Sequence, residues 1–395
     1  MGWTGKQMVL ALVMVFTGSI NTLTAKWADR IQSVNRQGHK TTFSHPFFQA
    51  DCMFIGEMLC LATFYLQLMI TRRSQRDTVE MAPDPHQVAD VPRYIFYLPA
   101  ICDVTATSMM YLGLTLTYSS SFQMLRGAVI VFTGLLSVAF LGRRLRYFHW
   151  LGIVIVIGGL IIVGFSDFLV SREDKYDING IITGDLLIVA AQVFTATQMV
   201  VEEKFLAKYK APPLMVVGWE GVFGFLTLSV LLVPMYYIPA GKFSGNERGV
   251  LEDAIDAFVQ LSNSGTLVAS IILTIISIAF FNFAGVSVTK EFSATTRMVL
   301  DSVRTLVIWL VTLALRWQTF QYLQPIGYVV LVVGMMLYND VLILPFLRRR
   351  GLVRDQPSES DSQPVIKSTD EIVRRDPYQL GSAVRLPNKA MCSTG

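Results

Sequence analysis

Apolar runs of about 20 residues recur ten times between residues 6 and 347, separated by short polar or charged links. About 20 helical residues cross the hydrocarbon core of a bilayer, so each run is long enough for one span. The pattern predicts helices over about residues 6–26, 46–70, 93–114, 119–144, 150–169, 182–201, 213–238, 266–289, 293–317 and 323–347. The first run has a basic start, like a signal peptide. It is longer than a typical signal core, however, and Thr17, Ser19, Asn21 and Thr24 interrupt its second half, so it reads as an uncleaved span. In the link 240–265, Val250, Leu251, Ala254, Ile255, Phe258 and Val259 keep helical spacing, with Glu252, Asp253 and Asp256 opposite. That arrangement predicts a short helix lying on the membrane surface.

Composition supports the same class. Of 395 residues, 52% are hydrophobic and 16% charged, where a soluble domain carries roughly a quarter charged. The formal charge of +4 gives no reason to expect nucleic acid, because the basic residues lie in short links, where they set topology. Cys52, Cys60 and Cys102 fall inside predicted helices and Cys392 in the tail, so no loop disulfide or zinc-type spacing is present. The remainder after Arg348, Arg349 and Arg350 is rich in Ser, Pro, Asp and Gln and reads as a disordered tail.

The stretch 119–144 has a counterpart in 293–317. Without gaps, Leu125 falls on Leu300, Ala139 on Ala314, Tyr147 on Tyr322, Gly152 on Gly327 and Gly159 on Gly334. Five matches at one offset suggest an internal duplication. Because five spans are an odd number, the second copy enters the membrane upside down, the plan of many secondary transporters. The expected fold is therefore an all-α polytopic membrane protein with ten transmembrane helices in two inverted five-helix repeats. The expected parts are a first repeat over 1–170, an acidic inter-repeat loop over 171–182, a second repeat over 183–347 and a cytoplasmic tail over 348–395. Arg72, Arg73, Arg76, Arg143, Arg144, Arg146, Lys208, Lys210 and Lys290 collect on one side with the Arg348 cluster, which places both termini in the cytoplasm. Arg30, Arg36 and Lys40 in the first outer loop run against that bias.

Ionisable residues inside spans are costly in lipid and are functional candidates by default. Arg126 suits a phosphate or carboxylate through its planar fork, or a structural pair with Asp301 or Asp103. Arg297, Asp301 and Arg304 share one helix face, either as an internal charge ladder or with Arg304 joining Arg126 in an anion site. Asp103 follows Pro99 by four residues, which reads either as a hinge or proton site or as a bend with a capped network. Glu57 and Glu220 are candidate coupling groups or packing residues. Lys26 and Lys204 end matching helices, as gates or as snorkelling cations. Asn21, Gln123, Gln198 and Asn282 read a sugar or base, or join helices by hydrogen bonds. The glycines of the fifth helix, Gly152, Gly158, Gly159 and Gly164, read as close helix packing. No phosphate loop, metal cluster or nucleophile constellation is present, and no cofactor or enzymatic activity is expected.

The stretches SSSFQMLRGAVIVFTGLLSVAFLGRRL, TGSINTLTAKWAD and PPLMVVGWEGVFGFLTLSVLLVPMYYIP resemble the drug/metabolite transporter superfamily, and within it the member F6 type of the nucleotide-sugar-transporter-like solute carriers of family 35. The resemblance implies ten helices around a central cavity lined from both halves, and the cavity is expected to be bounded by helices one, three, four, six, eight and nine. The resemblance also implies a secondary carrier working by alternating access in a Golgi or endolysosomal membrane. The leading expectation is a polar organic anion, such as a nucleotide sugar or nucleotide. The alternatives are a proton-coupled carrier of cationic or neutral metabolites and a membrane scaffold acting through its tail. The expected partners are a small-molecule solute and the lipid bilayer, with a homodimer and tail-binding proteins left open.

Overall fold

The computed structural model describes residues 4–74, 92–117, 119–142, 145–171, 178–241, 247–316 and 322–338. Of the acidic loop expected at 171–182, residues 172–177 lie outside the described residues and the rest are helical, and the tail from 348 lies outside them as well. The chain runs α1 (Gly5–Ala28), a hairpin of β1 (Gln32–Val34) and β2 (Lys40–Thr42), α2 (Pro46–Ser74), a 3-10 turn (Arg93–Phe96) and α3 (Tyr97–Leu116). It continues with α4 (Ser119–Leu125), a second 3-10 turn (Arg126–Ala128), α5 (Val129–Leu141) and α6 (Tyr147–Ser171). The later part holds α7 (Ile178–Tyr209), α8 (Pro213–Met235), α9 (Ala254–Ser262), α10 (Gly265–Glu291), α11 (Ala294–Ala314) and α12 (Leu323–Tyr338).

Local sequence sets the helix ends. Thr4 and Gln7 form a reciprocal capping box on α1, satisfying amide groups that a helix start leaves unpaired. Ser264 and Ser293 cap α10 and α11 in the same role. Gly142 closes α5 at φ +67°, a left-handed position that suits a residue without Cβ. Among the described residues, eight helical stretches are long and apolar enough to cross a membrane. Of the other two expected spans, α11 is long but carries Arg297, Asp301 and Arg304, and α12 is apolar over 16 described residues. Large apolar side chains such as Leu12, Phe16, Leu66, Ile161 and Val230 stay exposed on the helix flanks. Lipid covers such surface without cost, where water would not. The protein is an all-α polytopic membrane protein.

Four expectations change. The fourth span is not one continuous helix, because the backbone tightens to a 3-10 turn at Arg126–Ala128. The sixth begins at Ile178 and continues to Tyr209, past both expected ends. Pro99 does not kink a helix interior: it lies in the first turn of α3, where its missing amide has no partner to lose. The short helix α9 exists, but its Ala254, Ala257 and Leu261 pack on Phe43, Phe48 and Leu267 of the protein. Glu252 and Asp253, expected in water, are 1% exposed.

The main partnerships pair α1 with α10, α3 with α7, α2 with α8 and α6 with α12. Further contacts join α1 to α11, α5 to α7, α2 to α10 and α3 to α8. Backbones approach closely where glycines face them, as at Gly113 against Gly184 and Gly152 against Gly334. Gly158 and Gly164 face open space instead and have no packing role.

Candidate substrate cavity

The helices enclose a cavity of about 220 Å³. It is lined from α1, α3, the α4–α5 break, α7, α10 and α11, as expected, and also from α2 and α8. Met53, Phe54 and Glu57 bring α2 to its wall, and Glu220 brings α8.

One part of the wall is built on Asp301. Its Oδ1 lies 2.7 Å from Nη2 of Arg304, one turn later on α11, and its Oδ2 lies 3.9 Å from Nη2 of Arg126. The Arg304 side chain is 4% exposed and stacks on Phe281 at 4.6 Å from the ring centroid. Gly18 makes room for it, since a Cβ there would lie 2.5 Å from the arginine Cδ. The Arg126 side chain is 22% exposed, beside Phe122. Arg304 is thus the buried partner of Asp301, and Arg126 keeps much of its fork toward the cavity. Lys26 faces the same space within electrostatic reach of Arg126. Asp29, just beyond α1, reaches water, yet protein on its other sides pushes its carboxyl up to about 6, while the Gln49 amide at 2.5 Å pulls the other way. Among the described residues lining this part of the wall, the cations Lys26, Arg126 and Arg304 face the carboxylates Asp29 and Asp301.

The opposite balance holds around Arg297. Its Nη1 donates to Oε2 of Glu202 at 2.5 Å, with both side chains buried. The expected ladder within α11 is therefore divided: Asp301 binds Arg304, whereas Arg297 turns to α7. Glu57, Asp103 and Glu220 lie within electrostatic reach of this pair. The Asn282 amide donates to Glu57, and Asp103 accepts from Thr107. Glu203, beside Glu202, caps α11 by accepting from the amide of Ala294 at 2.9 Å.

Of the polar candidates, Gln123 is 1% exposed, lines the cavity, and neither its amide nitrogen nor its oxygen has a hydrogen-bond partner. Gln198 also lines it. Asn21 donates to the carbonyl of Thr274 at 3.2 Å, so it ties α1 to α10. Lys204 is exposed at the far end of α7, away from the cavity. Sequence reasoning missed Glu202. It sits in a Glu-Glu-Lys run that resembles a helix leaving the membrane, and only the extra turns of α7 carry it inward.

The family model for solute carrier family 35 matches residues 9–237. The chain is 53% identical over 370 residues to human solute carrier family 35 member F6, covering 93% of this chain and 98% of that one. It is 30% identical to an uncharacterized protein of Schizosaccharomyces pombe over 86% of this chain and 99% of that one. A solved crystal structure sharing 12% identity aligns with a TM-score of 0.55, covering 89% of this chain and all of that one, a likeness of fold. The chain belongs to solute carrier family 35 and is a multi-pass membrane transporter.

Proposed function

We propose that the protein carries a small polar organic anion, of the nucleotide or nucleotide-sugar class, across an organelle membrane by alternating access. One observation carries this reading: Arg126 presents a partly exposed guanidinium to the cavity, with its nearest carboxylate, Asp301, already bound more closely to Arg304. A phosphate or carboxylate entering the cavity finds a planar donor fork, with Lys26 adding charge. The 3-10 turn at Arg126–Ala128 puts the anion contact on a helical discontinuity, a common place for a moving part.

Ten spans in two inverted repeats underlie the mechanism. If spans one to five exchange with six to ten, α1 with α10 becomes α7 with α3, and α1 with α11 becomes α7 with the fourth span. The same exchange turns α2 with α10 into α8 with α3. All these partnerships occur, and the α2–α8 and α6–α12 contacts map onto themselves. This reciprocity supports a pseudo-two-fold axis, about which the two halves rock around the cavity. The basic bias of the links supports cytoplasmic termini.

Uptake of radiolabelled nucleotides and nucleotide sugars into liposomes carrying the purified protein tests the reading. Saturable uptake that is lost in Arg126→Ala is the expected result. Absence of uptake across the panel, or uptake indifferent to that substitution, overturns it.

A further inference from the structure

Four carboxylates from four helices, Glu57 of α2, Asp103 of α3, Glu202 of α7 and Glu220 of α8, gather around one guanidinium, Arg297 of α11. Glu202 holds it. For the other three, the structure offers neutral partners or none: the Asn282 amide for Glu57 and the Thr107 hydroxyl for Asp103. Glu220 is 6% exposed, lines the cavity, and its Oε1 has no hydrogen-bond partner. Nor does Oε1 of Glu202 or Nε of the 4% exposed Arg297.

The helices packed around the cluster do not balance it. From α10 come Asn282 and, at its far end, Lys290, which donates to the carbonyl of Ala211, with Glu291 beside it. The thiols of Cys60 and Cys102 flank Glu57 and Asp103. Arg93 lies over Trp219 at an exposed edge, Asp301 on α11 is held by Arg304, and Glu203 binds a backbone amide.

Three carboxylates in excess do not stay ionised together at membrane depth, because repulsion and lost hydration both oppose it. Among the described residues, no three of His, Cys, Asp or Glu are close enough to hold a metal ion. A bound proton removes a carboxylate's charge where it lies and needs no further ligand. We propose that Glu57, Asp103 and Glu220, with the Arg297–Glu202 pair as fixed counter-charge, form a shared proton-binding site that exchanges with the water of the cavity. Each proton passes from a carboxyl oxygen to cavity water and back, with no other bond changed. When Glu220 loses its proton, the new carboxylate competes with Glu202 for Arg297. Proton occupancy is thereby tied to how α7, α8 and α11 are held together. Gly285 lets the Arg297 guanidinium lie close against α10, since a Cβ there would lie 2.9 Å from its Nε. The inference rests on the carrier reading but not on the charge of the solute.

Infrared difference spectroscopy of the full-length protein in lipid nanodiscs, with no solute present, tests it. A protonated-carboxyl band is expected at neutral pH, shifting promptly on transfer to heavy water. Glu220→Gln and Glu57→Gln should each remove one carboxyl's share of it, and Glu247→Gln outside the membrane should remove none. A missing band, a band unchanged in both variants, or one that resists deuterium exchange overturns the proposal. If neither variant folds, the wild-type band and its exchange still decide. Since no anion is added, failure here is separate from failure of the uptake experiment.

Discussion

Gly152 of α6 and Gly334 of α12 meet face to face: a Cβ built on Gly152 would lie 2.8 Å from the carbonyl oxygen of Gly334, and one on Gly334 2.9 Å from that of Gly152. Two turns away, Gly159 and Gly327 repeat the relation at 3.0 and 3.2 Å. These are the four glycines that fall on one another when residues 119–169 are laid over 294–344. Here the contacting atoms are backbone, which cannot swing aside. Gly334→Val should therefore cost about 1–3 kcal/mol by overpacking. Thermal unfolding of the purified protein in detergent should show a lowered midpoint, with Gly158→Val, facing open space, as the neutral control.

Arg297 and Glu202 are both almost fully buried at 2.5 Å. Removing one partner strands a charge, at a typical cost of about 3–5 kcal/mol, whereas replacing both by apolar residues of similar size is often far milder. Arg297→Met with Glu202→Leu should thus unfold at a higher temperature than the more harmful single change. Equal or additive losses would show that the pair contributes little beyond its separate contacts.

The two arginines of the Asp301 cluster should separate in the same kind of measurement. Arg304 is 4% exposed and 2.7 Å from Asp301, while Arg126 is 22% exposed and 3.9 Å away. Arg304→Gln should destabilise more than Arg126→Gln, because a pair with solvent contact contributes about 0–1 kcal/mol. Asp301→Asn should be at least as harmful as Arg304→Gln, since it leaves the buried guanidinium without its carboxylate. Arg126→Gln should act mainly on anion uptake.

The spans were legible in the sequence because membrane depth demands long apolar runs, and the observed helices begin and end within a few residues of most of them. The charged positions of the cavity were legible for the same reason, since each interrupts such a run. Partner choice was not. Arg297, Asp301 and Arg304 share a face in sequence, yet Arg297 reaches across to α7, which depends on how far α7 extends. Helical spacing places Glu252 and Asp253 opposite the apolar face of 250–259, and that pattern alone implies water. Glu252 is buried against His45 and Phe47 at the start of α2, residues more than 200 positions away in the chain.

Glu252 joins the loop before α9 to the start of α2. Its Oε1 lies 2.7 Å from Nδ1 of His45, and its Oε2 accepts from the amides of Phe47, at 2.9 Å, and Phe48, at 3.3 Å, at the start of α2. A carboxylate only accepts, so Nδ1 of His45 carries hydrogen. The opposite ring nitrogen lies 3.3 Å from the Gln260 amide and 3.4 Å from Oδ2 of Asp256, whose Oδ1 accepts from the backbone amide of Arg36. Glu252→Ala takes the acceptor from four buried donors, the His45 ring and the amides of Phe47, Phe48 and Asp253, at about 1–3 kcal/mol for each group that water cannot reach. Hydrogen exchange should accelerate at the start of α2, in the β1–β2 hairpin and in α9, while the midpoints of α6 and α12 keep their protection. In Glu247→Gln, which breaks only a solvent-exposed contact with His39, those same segments should exchange as in the wild type.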